Sequence, residues 1–307
     1  MKDLTFGIEI ETTGVTREKA AKTIATYLGT EARHVGGNYD AWEVKDIQQR
    51  VWKVVNDSSL EAQKKENGRI VPAALDYRVE VVSPICKYED IEIVQEIVRA
   101  LRKAGSFSNE SCGIHLHIGK EKFTARTLRN LVNIMASKED LIYKALKVEK
   151  SREAKYCKKV DKNFLEKLNK KKPESLREFA DLWYEGYSHE DRNKHYHRSR
   201  YHGLNLHSFF NGQTVEFRLF NSTIEHAGKI KAFIQFCLAI SHQALSQKSA
   251  SPKKTESTNE KYTFRTWLLR LGLIGEEFET ARLHLLADLQ GDSAFRNGRP
   301  EQIAAGQ

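Results

Sequence analysis

The ionisable residues of this 307-residue chain recur in one arrangement that could do chemistry. In FGIEIET, Glu9 and Glu11 stand two apart and alternate with Ile8 and Ile10. An extended chain therefore sends both carboxylates to one face and both isoleucines to the other. CGIHLHIG repeats this with His115 and His117 against Ile114, Leu116 and Ile118, and TVEFRLF with Glu216 and Arg218 against Val215, Phe217 and Leu219. RVEVV sets Arg78 and Glu80 against Val79 and Val81, and YHGLNLHSFF reads the same way, with Tyr201, Gly203, Asn205 and His207 opposite Leu204 and Leu206. An ordinary exposed strand face carries Thr, Ser, Lys and Gln. One that collects carboxylate, imidazole and guanidinium needs a chemical reason.

Coulomb's law suggests one. If Glu9, Glu11, Glu80 and Glu216 converge, each pair at ~6 Å repels by about 3 kcal/mol at an effective dielectric near ~20, and the pairs together exceed ~10 kcal/mol. That is comparable to the whole stability of a domain, so the carboxylates must be partly protonated or neutralised by cations. Two divalent ions would balance four carboxylates. Oxygen donors with a single imidazole suit Mg²⁺ or Mn²⁺, particularly when a nucleotide's phosphates complete the shell. Each segment alone has a plainer reading: a solvated ExE face, a buried structural histidine pair, a self-neutralising Glu216–Arg218 pair. Cys112-x-x-His115-x-His117 is a fragment of a zinc motif with no second cysteine nearby. Their joint occurrence on strands with the same apolar backing favours a metal-dependent active site. A P-loop is excluded, because Gly113-IHLHI-Gly119-Lys120 has one residue too many and is followed by Glu121, and neither a dinucleotide fingerprint nor a Gly-x-Ser-x-Gly elbow occurs. His189, His195, His197 and His202 lie in a polar, aperiodic stretch read as a loop near the site, with Arg198 or Arg200 as phosphate contacts.

The elements that must position these groups follow from periodicity. Residues 4–11 alternate as a strand; Thr16 then caps a helix over 17–28 that ends at Gly29. Strands are expected over 39–44, 50–55 and 75–82, with Gly36-Gly37, Asn56-Asp57 and Asn67-Gly68 as turns. A helix over 88–104 stops at Gly105, followed by a strand over 113–118, a helical region over 124–187, strands over 201–209 and 214–220, and a helix over 224–245. A shorter helical pair spans 264–271 and 276–289. The strands cluster and are joined by short turns, which points to an α+β fold with a largely antiparallel sheet. The expected organisation is a catalytic core over 1–245 with a lysine-rich helical insertion at 124–187, an exposed loop at 246–260, a C-terminal helical pair at 261–295 packing on the core, and a disordered tail at 296–307.

Composition narrows the partners. Hydrophobic residues make up 40% of the chain and with its 18 Gly roughly 46%, the globular range, and no apolar run reaches the ~20 residues of a membrane span. Cys86, Cys112, Cys157 and Cys237 follow no disulfide rhythm, so a cytoplasmic setting is expected. Of the net charge of +9, residues 147–172 supply most, with 11 basic and 4 acidic side chains. Such a run reads as a solvated helix face; binding of nucleic acid or an acidic partner through it is the alternative, not the expectation.

The segments FGIEIETT, GGNYDAWEVKD, WKVVNDSSL, YRVEVVSPI, CGIHLHIG, YHGLNLHSFF and TVEFRLFNST, followed by TFRTWLLRLGLIG, resemble in order and spacing the amidoligase family. That family is a branch of the carboxylate-amine ligases, which include glutamine synthetase and glutamate-cysteine ligase, and the resemblance covers about residues 4–296. It implies a curved antiparallel sheet with a polar catalytic face and helices packed on the other face. It also implies ATP with Mg²⁺ or Mn²⁺, two ions in all, and an amide or isopeptide bond made through an acyl phosphate. Glu9 and Glu11 then correspond to ligands of the two metals, Glu80 to a further ligand, His115 to a metal-binding histidine and Glu216 to the last metal glutamate. His117 matches a nucleotide-contacting position, and Arg218 an arginine at the transferring phosphate or a substrate carboxylate. The chain departs from glutamine synthetase at Pro72, where a second glutamate is absent, and Asp57 is the expected substitute. Lys53 is a candidate for the ATP phosphates, Tyr39 and Asn205 for the substrates, and either Asp57 or a carboxylate not saturated by metal for the base that deprotonates the amine. The partners would be a carboxylate and an amine, each an amino acid, a peptide or a protein side chain. A hydrolase that uses the same face to activate water is the competing enzyme reading.

Overall fold

In the computed structural model, which describes residues 1–187 and 189–297, the alternating segments become neighbours in one open sheet. Its strands are β1 (Phe6–Thr12), β2 (Ala32–Gly36), β3 (Ala41–Lys45) and β4 (Val51–Val55), then β7 (Val79–Val82), β8 (Gly113–Gly119), β9 (Leu204–Asn205) and β10 (Thr214–Asn221). They lie in the order β2-β3-β4-β7-β1-β8-β10-β9, and every pairing is antiparallel. β5 (Gln63–Glu66) and β6 (Arg69–Pro72) form a separate hairpin. The fold is thus the mixed α+β arrangement expected from the clustering of strands.

Helices α1 (Arg17–Leu28), α2 (Ile91–Ala104), α3 (Ala125–Ala145), α4 (Lys150–Lys155), α5 (Lys162–Lys171), α6 (Leu176–Tyr184), α7 (His207–Asn211), α8 (Ala227–Ser246), α9 (Glu260–Arg270) and α10 (Glu279–Leu286) pack around the sheet. α1 lies on β2 to β4, α8 on β8, and α2 touches both helices; α3 and α10 pack on α8. The apolar members of each alternation, among them Ile8, Ile10, Val79, Val81, Ile114, Leu116, Val215 and Phe217, are buried in one core shared with these helices. Local signals set the helix ends. Thr16 Oγ1 accepts a hydrogen bond from the Lys19 amide, and Gly29 closes α1 at φ 68°, where a side chain would be strained. None of the helices among the described residues is long and apolar enough to cross a membrane.

Several expectations are corrected. Residues 201–209 do not form a long strand: only Leu204 and Asn205 pair with β10, and α7 begins at His207. The cause is local, since Asn205 Oδ1 accepts from the His207 and Ser208 amides and turns the chain into a helix, taking His207 off the strand face. Residues 75–77 are a 3₁₀ turn whose Leu75 carbonyl, with that of Arg78, accepts from buried Arg17. The helical region 124–187 breaks into four helices, with Lys147 and Lys172 in the left-handed region and Asp161 and Ser175 capping α5 and α6. β2 and the β5–β6 hairpin were not anticipated, because their faces are largely exposed and carry no apolar alternation. The segment after α8 is fastened along α3: Asn130, Asn133 and Ser137 side chains bond the carbonyls of Gln247, Ala250 and Lys253. All but the first two residues of the tail expected at 296–307 lie outside the described residues.

Glu139 on α3 is 3% exposed, accepts from the Val160 amide at 2.7 Å, and is pushed by burial from the ordinary 4.5 to about 7. Its protonated form favours the fold, so this contribution is complete below the ordinary value and is lost as pH rises through about 7. Glu139→Gln keeps the acceptor and removes the charge. Thermal melts should find the variant more stable than the parent at about pH 8.5, by up to ~3 kcal/mol, with the gap shrinking towards about pH 5. A gap independent of pH would contradict the assignment.

Candidate functional site

The register of the sheet assembles the polar groups. Glu11 on β1 faces Glu80 on β7, Glu9 faces His115 on β8, His117 faces Glu216 on β10, and Glu216 faces Asn205 on β9. A register irregularity in β10 between Phe217 and Phe220 frees Arg218 from the ladder with β8, and its amide instead donates to the Gly203 carbonyl at 2.8 Å.

His115 sits at the centre. Its Nδ1 is 2.8 Å from Glu9 Oε2 and 3.8 Å from Glu216 Oε1, and its Nε2 is 3.7 Å from Glu11 Oε1. Two triads result, Glu9/His115/Glu216 and Glu11/Glu80/His115, and within each the ligand-capable atoms lie within 4.8 Å of one another. Carboxylate oxygens with one imidazole are the donor set of a hard divalent cation. A neutral imidazole offers one lone pair, so His115 would serve only one ion at a time.

The electrostatics fit this use. Burial opposes the charge of Glu9, but His117 and His115 outweigh it and hold its carboxyl well below the ordinary range. Burial likewise opposes Glu216, yet Arg218 and the two histidines bring it to about 2. Burial lowers His117, but the charges of Glu9 and Glu216 prevail and raise it. On the other side of His115, burial and neighbouring carboxylates push Glu80 well above the usual range, and burial raises Glu11 as well. One triad is balanced by protein cations; the other is a crowd of acids that a divalent ion would relieve.

Above this floor opens a hollow of about 1000 Å³. Glu9, Glu11, Glu80, His115, Arg218, Lys53, Asp57 and Tyr39, all anticipated from the sequence, line it. Asp57 accepts from the Ser59 amide at 2.7 Å, and its charge contributes to raising both Glu11 and Glu80. Pro72 ends β6 in the outlying hairpin. Lys53 makes only a 3.9 Å contact with Glu43, and the Tyr39 hydroxyl is 3.0 Å from that of Tyr196. Glu216 is buried in the first triad, bonded by Arg218 Nη1 and, at 2.6 Å, by Asn205 Nδ2. His117 and Asn205 do not line the hollow. His117 lies beside Glu9, its Nδ1 bonded to Thr214, and Asn205, expected at a substrate, is 2% exposed and engaged with Glu216 and the start of α7.

Of the second histidine group only His195 lines the hollow. His197 and His202 are buried, each bonded to Ser199, and His197 stacks on His207 at 5.1 Å. Arg198 pairs with Glu190, whereas Arg200 faces the hollow. The zinc fragment dissolves, because burial pushes the Cys112 thiol up to about 12 and the thiol donates a hydrogen bond to Asn109 Oδ1 at 3.3 Å. Tyr201, placed on the polar face by the alternation, lines the wall, whereas sequence reasoning missed Arg152, Tyr156 and Tyr196 there. The available signal was an arginine and a tyrosine four apart within the lysine run, one helical turn from each other.

If the triads hold divalent ions, Mg²⁺ or Mn²⁺ should raise the melting temperature of the parent protein, with about 2.7 kcal/mol gained at ~100 times the dissociation constant. Glu80→Gln should raise the melting temperature measured in chelator and blunt the gain from the ion. An unchanged parent melt on adding either ion would contradict the site.

No curated protein matches the chain. A family model does, over residues 2–241, a stretch that holds both triads and every strand of the sheet. With its acid-rich sheet face and that match over most of its length, the chain belongs to the family described as "putative amidoligase enzyme".

Proposed function

We propose that this chain is an ATP-dependent carboxylate-amine ligase that uses Mg²⁺ or Mn²⁺ and forms an amide or isopeptide bond through an acyl phosphate. The observation that carries the reading is the pair of acid triads about His115 on the floor of a hollow that also presents Arg218. Bringing a carboxylate to a triphosphate sets like charges together, and the site supplies what that step needs. Glu9, Glu216 and His115 would hold one ion, and Glu11 and Glu80 the other. Bound there, the ions would screen the charge of both reactants.

The chain's own groups do the rest. Arg218 is fixed by Glu216, while its Nε is buried without a partner among the described residues, so a donor remains for a phosphoryl oxygen. Lys53, half exposed on the rim, can reach an outer phosphate. The substrate carboxylate oxygen attacks the γ-phosphorus and ADP leaves; the amine nitrogen then attacks the acyl carbon, phosphate leaves, and Asp57 takes the amine proton. Within the lysine-rich run, Lys147, Lys159 and Lys167 are paired with Asp288, Asp140 and Glu185.

An acid labelled with ¹⁸O in its carboxylate should pass one labelled oxygen to inorganic phosphate in an amine-dependent reaction that also releases ADP. Glu216→Gln should lower that turnover by about 10³-fold or more. Release of AMP and pyrophosphate, or cleavage of an amide without nucleotide, would overturn the proposal.

A further inference from the structure

Arg152 on α4 stands in the wall of the hollow and is 4% exposed. Among the described residues its guanidinium has one hydrogen bond, Nη2 to the Phe220 carbonyl at 3.5 Å, and its Nε has no partner. Among the described residues no carboxylate lies within ion-pair distance of it, although Glu11 is close enough to feel its charge. Other buried guanidiniums do have an acid, Arg17 with Asp40 and Arg218 with Glu216. Room has been made for this one: it lies over Gly113, where a Cβ would fall 2.1 Å from Nη2.

Arg200, in the same wall, is also without an acid among the described residues. Its guanidinium lies 5.1 Å from the Tyr196 ring and 6.0 Å from that of Tyr201, and Tyr201 meets Tyr156, one turn along from Arg152, at 6.3 Å. Cation–π stacking positions a guanidinium without neutralising it. Burying an unpaired cation costs several kcal/mol, and the cost is recovered when an anion arrives. Phosphates would travel with the divalent ions of the triads. An anion with no ion of its own needs a guanidinium, whose planar fork matches a carboxylate.

We infer that Arg152 and Arg200 form an anion subsite of the hollow that takes a non-reacting carboxylate of a substrate, which is therefore an amino acid or a dicarboxylic acid. This rests on the ligase reading for assigning the carboxylate to a substrate.

The test is equilibrium binding by calorimetry with Mg²⁺ present, so that turnover is not needed. The probes are glutarate against butyrate and alanine against ethylamine, with ADP as a separate probe. Glutarate binding where butyrate fails places the carboxylate on the acid substrate; alanine binding where ethylamine fails places it on the amine. Arg152→Met, which keeps the stem, should weaken the preferred carboxylate probe about 10- to 100-fold and leave ADP unchanged. Arg200→Met should act in the same direction, and Arg152→Lys should fall between Met and the parent. If Arg152→Met does not fold, the other two variants carry the test. Equal binding of each probe and its control, unchanged affinity in the variants, or an equal loss for ADP would overturn the subsite. Arg152-dependent carboxylate binding in a protein that never consumes ATP would leave the subsite standing and remove the ligase reading. Ligase turnover with unchanged binding in the variants would do the reverse.

Discussion

Like charges held close in a medium of low polarisability are the constraint around which this molecule is arranged. Glu9, Glu11, Glu80 and Glu216 project from β1, β7 and β10 onto one face, with His115 of β8 and Arg218 among them. Burial removes water from each carboxylate and so opposes its charge, and each repels its neighbours through the same low dielectric. The ladder hydrogen bonds and the apolar core behind the sheet keep them in place. A single-residue slip of β1 would move Glu9 and Glu11 into that core, so the register is strongly specified.

The site is therefore divided in its electrostatics. Arg218 and the histidines stabilise the charges of Glu9 and Glu216, whereas at Glu11 and Glu80 burial outweighs the nearby cations and pushes the carboxyls towards the neutral form. An asymmetry of this kind belongs to binding rather than to stability, since replacing one acid by an amide would relieve it at no cost in packing. The support comes from outside the polar row: Asn205 holds Glu216, Thr214 holds His117, and the Gly113 amide holds Glu11. These bonds fix the orientations of the acids before any ligand arrives, which is the condition for electrostatic preorganisation.

The wall opposite the β3–β4 side has a different origin. Arg152 and Tyr156 come from the lysine-rich insertion, and His195, Tyr196, Arg200 and Tyr201 from the segment before β9. The Tyr39–Tyr196 hydroxyl contact ties that segment to the turn between β2 and β3. One face of the insertion is solvated, as its composition suggests, and the other contributes a buried cation to the hollow. The floor is thus made of strands and the far wall of helices and loops, the usual separation of a rigid catalytic base from a more variable surface that selects the substrate.

Residue alternation by itself determined the central strands, the apolar backing, the ends of α1 and α2, and which acids and histidines share a face, because a strand's period of two and a helix's caps are properties of a few adjacent residues. It did not determine that Asn205 turns outward residues into α7, that His117 stands aside from the hollow, or that exposed segments pair as β2, β5 and β6. Those outcomes depend on partners far along the chain: the amides that Asn205 captures, the hydroxyl of Thr214, the neighbouring edge. Arg152 is the clearest case. In the sequence it is one cation among many in a basic run, and only the packing of α4 against Gly113 and Phe220 removes it from water and leaves it without an acid. Burial is a property of the assembled chain, so the chemistry that depends on burial was decided by the tertiary structure alone.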